Sequence, residues 1–109
     1  MYASSVMKYN KLIRDKIPEI IEKNGQKAII HIASNDEYKE KLREKLQEEV
    51  AEYLKSFEKE ELADILEVIY ALCEAHDIST DEIEKIRKKK ANKRGKFKKR
   101  IILDETRET

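Results

Sequence analysis

The sequence predicts a mainly α protein: a helical bundle built on a long helix hairpin, with a third helix, a small two-stranded β element and assembly into oligomers. Three observations carry this expectation. Apolar residues recur at spacings of three and four through two consecutive segments, residues 37–56 and 59–75. Turn formers are scarce, since two Gly and one Pro leave few places where a helix must stop. Charged residues make up 43% of the chain, yet the apolar positions between them are periodic, which argues against disorder. The 109 residues suit one domain, 1–109, with a modest core, residues 1–8 forming a flexible extension.

Residues 9–16 (YNKLIRDK) read as a polar, basic lead-in. Pro18 suits a helix start, where its missing N–H costs nothing, and Asn24-Gly25 suits the stop, giving a short helix over 18–23. The β-branched run 27–33 (KAIIHIA) predicts a strand. Ser34, Asn35 and Asp36 then offer N-cap side chains for the first long helix, 37–56. The second, 59–75, is apolar over more than half its circumference, more than one hairpin partner covers, so a third helix and a second subunit are expected to pack on it. Ser79-Thr80-Asp81-Glu82 caps a third helix over 81–92, with Ile83 and Ile86 inward, and the run 97–103 predicts a second strand that pairs with the first.

The chemistry is carried by acids. Glu49/Glu52 and Glu61/Asp64 are i,i+3 pairs, which share a helix face about 5–6 Å apart at Cβ. Two such pairs on antiparallel neighbours can converge four carboxylates, which repel one another unless a cation lies between them. An ExxE arises easily by chance in a chain this rich in Glu. Glu49 and Glu61, however, fall inside the apolar arcs of their helices, where an unpartnered charge is very costly. Glu52 and Asp64 lie at the arc edges, and Glu48 points to the far side. Oxygen-only ligands favour Mg²⁺, Mn²⁺ or Ca²⁺ over zinc or copper.

Net charge is +1 but unevenly spread. Acids outnumber bases twelve to six over residues 36–67, whereas 85–100 holds eleven Lys or Arg and no acid. That layout suits a metal and a polyanionic ligand. Lone Cys73 lies in an apolar run and reads as a buried thiol; neither His31 nor His76 has a partner at metal-ligand spacing. No apolar run approaches the ~20 residues that cross a bilayer, and no signal-type segment is evident, so no membrane partner and a cytoplasmic location are expected.

The block Glu48-Glu49-Val50-Ala51-Glu52 followed by Glu61-Leu62-Ala63-Asp64 resembles the EExxE…ExxD signature of the all-α nucleoside triphosphate pyrophosphohydrolases, the MazG-like superfamily. Lys45-Leu46 ahead of it is similar to the family's KLxEE lead. The segments 9–21 (YNKLIRDKIPEII) and 93–103 (KRGKFKKRIIL) resemble a small phosphoribosyl-ATP pyrophosphohydrolase-like subgroup. The resemblance spans residues 8–103. It departs at Lys96, where that subgroup's RGGF block has a second glycine.

The resemblance implies Mg²⁺-dependent hydrolysis of a nucleotide between its α and β phosphates, giving a monophosphate and pyrophosphate. Glu49, Glu52, Glu61 and Asp64 would be the metal ligands, with Glu49 and Glu52 catalytic and Glu52 the choice for accepting the water's proton. Lys93 and Arg94 are the first candidates for phosphate binding, Lys11, Arg14 and Lys16 a second cluster, and Lys45 lies one turn before Glu49. Self-association into a dimer or higher oligomer is expected. Two rival readings stand beside this one: a nucleic-acid-binding module using the basic segment 85–100, and a family member that binds nucleotide or metal without hydrolysis.

Overall fold

The computed structural model describes residues 6–108. Part of the expected N-terminal extension, residues 1–5, lies outside them. Four helices form: α1 (Ile17–Lys23), α2 (Asn35–Ser56), α3 (Lys59–Ala75) and α4 (Thr80–Arg94). The chain divides into two compact units, Met1–Asp77 with α1–α3 and Ile78–Thr109 with α4.

Local chemistry accounts for the boundaries. A turn from the Ile17 N–H to the Arg14 carbonyl (3.0 Å) opens α1, Pro18 sits in its first turn, and Gly25, at φ 84°, follows its end. Ser34 caps α2 by accepting from the Glu37 N–H (3.3 Å), so that helix begins two residues earlier than the sequence predicts. Phe57 closes α2 in the left-handed conformation at φ 58°, and after Glu58 the chain re-enters a helix. So short a connection turns α3 back along α2, and the two pack on each other. Ser79 caps α4 by accepting from the Glu82 N–H (3.1 Å), and α4 runs on to Arg94, taking Lys93 and Arg94 into its last turn.

The expected two-stranded β element is corrected: no strand forms among the described residues. A strand needs a ladder partner, and β-branched composition does not supply one. In the run 27–33, Ile29, Ile30 and Ile32 are exposed, Ile32 at 89%. The run 97–103 opens with a tight turn, the Arg100 N–H reaching the Phe97 carbonyl at 3.1 Å, which breaks the extended register at its start.

The buried apolar side chains among the described residues are Leu42, Val68 and Cys73, the last the buried thiol the sequence predicts. Leu42 fixes the middle of α2 and Val68 the middle of α3, with the hairpin turn beyond. A fourth buried side chain, between Leu42 and that turn, is charged: Glu49, at 7% exposure. Leu62, Leu66 and Tyr70 leave an apolar stripe of α3 exposed at i, i+4 and i+8, and Leu54 and Phe57 do the same near the end of α2. No helix is long and apolar enough to cross a membrane among the described residues.

Candidate metal centre

Glu49 lies eight residues before the turn residue Phe57; Glu61 and Asp64 lie four and seven residues after it. Antiparallel packing of α2 on α3 therefore brings them to one level. One carboxylate oxygen from each of Glu49, Glu61 and Asp64 lies within 4.8 Å of the others. A hard divalent ion with oxygens at about 2.0–2.6 Å gathers ligands roughly 3–5 Å apart. The three acids are spaced for one such ion.

Two oxygens on residues of this cluster, Glu49 Oε2 and Glu61 Oε2, are shut off from solvent and have no hydrogen-bond partner. A buried acceptor without a donor is costly, and a buried carboxylate more so. Burial raises the Glu49 carboxyl above the ordinary carboxylate range; Lys45 opposes the shift, and Glu52 and Asp64 add to it. Glu61 is raised as well, first by desolvation, then by Glu52, Asp64 and Glu49. These groups resist ionising together unless a cation joins them, and one oxygen from each already lies within 4.8 Å of the others. The residues fit a hard divalent cation.

Glu52, the fourth acid of the expected set, is exposed and stands outside the three-oxygen cluster, although near enough to push Glu61 and Glu49 upward. The basic candidates divide. Lys45 Nζ lies 3.4 Å from Glu49 Oε1 and 3.5 Å from Glu48 Oε2. Lys11 Nζ reaches Glu48 Oε1 at 3.0 Å, and Arg14 Nη2 reaches Asp64 Oδ1 at 2.8 Å. Lys16 is exposed at the N-cap of α1. Lys93 and Arg94 are exposed in the last turn of α4, in the second unit.

Glu48 is the residue whose part sequence reasoning misjudged. Rather than facing away, it is half-buried between Lys11 and Lys45. Burial works to raise its carboxyl, but the two ammonium groups win and hold it below the usual range. Lys11 is raised in turn by its bond to Glu48. The i,i+3 spacing of Lys45 and Glu48 was the available signal; the partner 37 residues away was not. Lys11, Lys45 and Glu48 line a cleft of about 180 Å³ together with Tyr9, Asn10 and Lys41. Lys41 Nζ donates to the Asn10 carbonyl at 2.8 Å, fastening the lead-in to α2.

Five carboxylates (Glu48, Glu49, Glu52, Glu61, Asp64) thus meet three cations (Lys11, Arg14, Lys45) at this end of the hairpin. The formal imbalance, with every carboxylate ionised, is two negative charges, which one divalent ion would cancel.

Among known proteins, no family model and no solved structure matches the chain. An uncharacterized protein of Mycolicibacterium smegmatis is 50% identical over 42 residues, a match that covers 38% of this chain and 43% of that protein's length.

Proposed function

We propose that this chain is a Mg²⁺-dependent nucleotide pyrophosphohydrolase of the MazG-like all-α type, cleaving a nucleoside triphosphate or related nucleotide between its α and β phosphates. The observation that carries the reading is the pair of buried, partnerless oxygens on Glu49 and Glu61 beside Asp64, on the two helices that hold the EExxE and ExxD blocks. A chain that shields carboxylates without donors has a reason to do so when a cation supplies the missing partner.

Glu49, Glu61 and Asp64 would hold the ion. When bound, Mg²⁺ neutralises charge on the phosphates and lowers the pKa of an attacking water. Glu52, exposed, outside the three-oxygen cluster and close beside Glu61, would be the carboxylate to accept that water's proton. Lys45 holds Glu49 Oε1, which leaves Oε2 for the ion. Because Lys11 and Arg14 are engaged by Glu48 and Asp64, Lys16 is the basic candidate of the lead-in left for phosphate.

The test is a pyrophosphate-release screen in Mg²⁺ across canonical, deoxy and damaged nucleoside triphosphates, with phosphoribosyl-ATP included. Release from at least one of them, abolished by chelator, is expected. No release from any nucleotide, with Mg²⁺ and Mn²⁺ both supplied, defeats the proposal.

Self-association belongs to the same reading. The exposed stripe Leu62, Leu66 and Tyr70 on α3 is the kind of surface a second subunit covers. Light scattering behind size exclusion is expected to give a dimer or larger species. Leu66→Glu should shift that mass to the monomer, since burying the new carboxylate unpaired costs about 3 kcal/mol. A wild-type chain that runs as a monomer at micromolar concentration would refute the assembly.

A further inference from the structure

Arg14 reads from the sequence as a phosphate ligand, but its guanidinium is committed elsewhere. Nη2 donates to Asp64 Oδ1 at 2.8 Å, across fifty residues of chain. The backbone that delivers it is held on both sides. Downstream, the Arg14 carbonyl accepts from the Ile17 N–H at 3.0 Å where α1 begins. Upstream, Lys11 is tied to Glu48 at 3.0 Å and the Asn10 carbonyl to Lys41 at 2.8 Å. Arg14 is therefore presented to Asp64 by a fixed segment rather than by a loose tail.

Asp64 needs such help more than Glu49 does. Its side chain is 38% exposed against 9% for Glu49, so packing alone does not fix its orientation. It also stands among acids that repel it. A donor on Oδ1 chooses one rotamer and leaves Oδ2 as the oxygen with no donor of its own. Donors that sit behind metal-bound ligands do this generally, and losing them costs about 10–100-fold in metal affinity. The charge count agrees. With Arg14 in place the imbalance is two charges and one divalent ion satisfies it; with Arg14 displaced by the ion, a charge would remain.

We infer that Arg14 is a positioning residue for the metal centre: held by the N-terminal segment, it orients Asp64 as a ligand through Oδ1 and stays there when the cation binds. This rests on the metal reading of the acid cluster.

The test uses the full chain and Mn²⁺ alone as probe, with affinity read by electron paramagnetic resonance and the melting temperature of metal-free protein measured in parallel. Arg14→Ala is expected to weaken Mn²⁺ binding about 10–100-fold while the metal-free melting temperature stays close to wild type, because the pair is solvent-exposed and contributes little to folding. Arg14→Lys, which keeps the charge but loses the planar fork, should recover part of the affinity. Undiminished Mn²⁺ binding by Arg14→Ala, together with a raised KM for nucleotide, would overturn the inference and return Arg14 to direct phosphate contact. Tighter Mn²⁺ binding by that variant would also overturn it, making Arg14 a competitor of the ion. A metal-free melting temperature that collapses in Arg14→Ala and is unrestored by Lys would reduce the pair to a structural clamp. A wild-type chain that holds no Mn²⁺ would sink the metal reading and this inference together; a wild-type chain that holds Mn²⁺ beside an Arg14→Ala variant that holds it equally well sinks this inference alone.

Discussion

Glu49→Gln is expected to remove turnover almost entirely while the helices stay folded. The substitution keeps the shape of the side chain and deletes the charge the cation would bind. Partners behind a metal ligand already cost about 10–100-fold when lost, so the ligand itself should cost more than about a hundredfold in kcat/KM. Stability should not suffer. Glu49 Oε2 has no donor in the metal-free protein, and burial already disfavours its ionised form. A neutral amide there is less costly than a charge, and Lys45 retains Glu48 at 3.5 Å. Metal-free Glu49→Gln should therefore melt at or slightly above wild type, with unchanged far-ultraviolet circular dichroism. Asp64→Asn should lose activity similarly. Wild-type activity in either variant under saturating Mg²⁺ would dismiss these acids as ligands.

Such a variant would separate the role of charge from the role of fold because the two were legible in the sequence through different signals. Helix positions follow from local chemistry: Ser34 and Ser79 each bond a backbone N–H three residues on, and the apolar period does not depend on distant chain. Glu49 was legible for a related reason, since an acid inside an apolar arc is a local anomaly. Glu48 was not. Its helical angle points away from the arc, and what buries it is Lys11, from a segment with no periodicity of its own. The Arg14–Asp64 pair was illegible for the same reason: a cation near a group of acids has several possible partners, and only tertiary placement pairs it with Asp64. The strands failed differently. The residues of 27–33 have strand propensity, but pairing is a property of two segments, and among the described residues that run finds no ladder.

Stability of the metal-free protein should fall as pH rises above the ordinary carboxylate pKa, and Mg²⁺ or Mn²⁺ should reverse the fall. Glu49 and Glu61 both have folded-state pKa values raised above the ordinary 4.5. Groups raised in this way bind protons more tightly when folded, so their contribution is fully present below 4.5 and is lost as pH climbs through their folded values. Glu48 is lowered, and its contribution runs the other way: present above 4.5 and lost as pH falls below it. The window above 4.5 thus isolates the two acids at the cluster, with Glu48 constant. A bound divalent ion favours their ionised form, so metal affinity should grow across the same window in which metal-free stability declines. At a metal concentration of about one hundred times Kd the added stability is about 2.7 kcal/mol, which for a domain of this size is roughly 10 °C or more in Tm. Differential scanning fluorimetry from pH 5 to 8, with chelator and with Mg²⁺, should give two curves that diverge as pH rises. Glu49→Gln should reduce the slope of the chelator curve, leaving the part that Glu61 contributes, and bring the Mg²⁺ curve down onto it. Parallel curves for wild type would mean that the oxygens of Glu49 and Glu61 are shielded for packing alone, and no cation belongs between them.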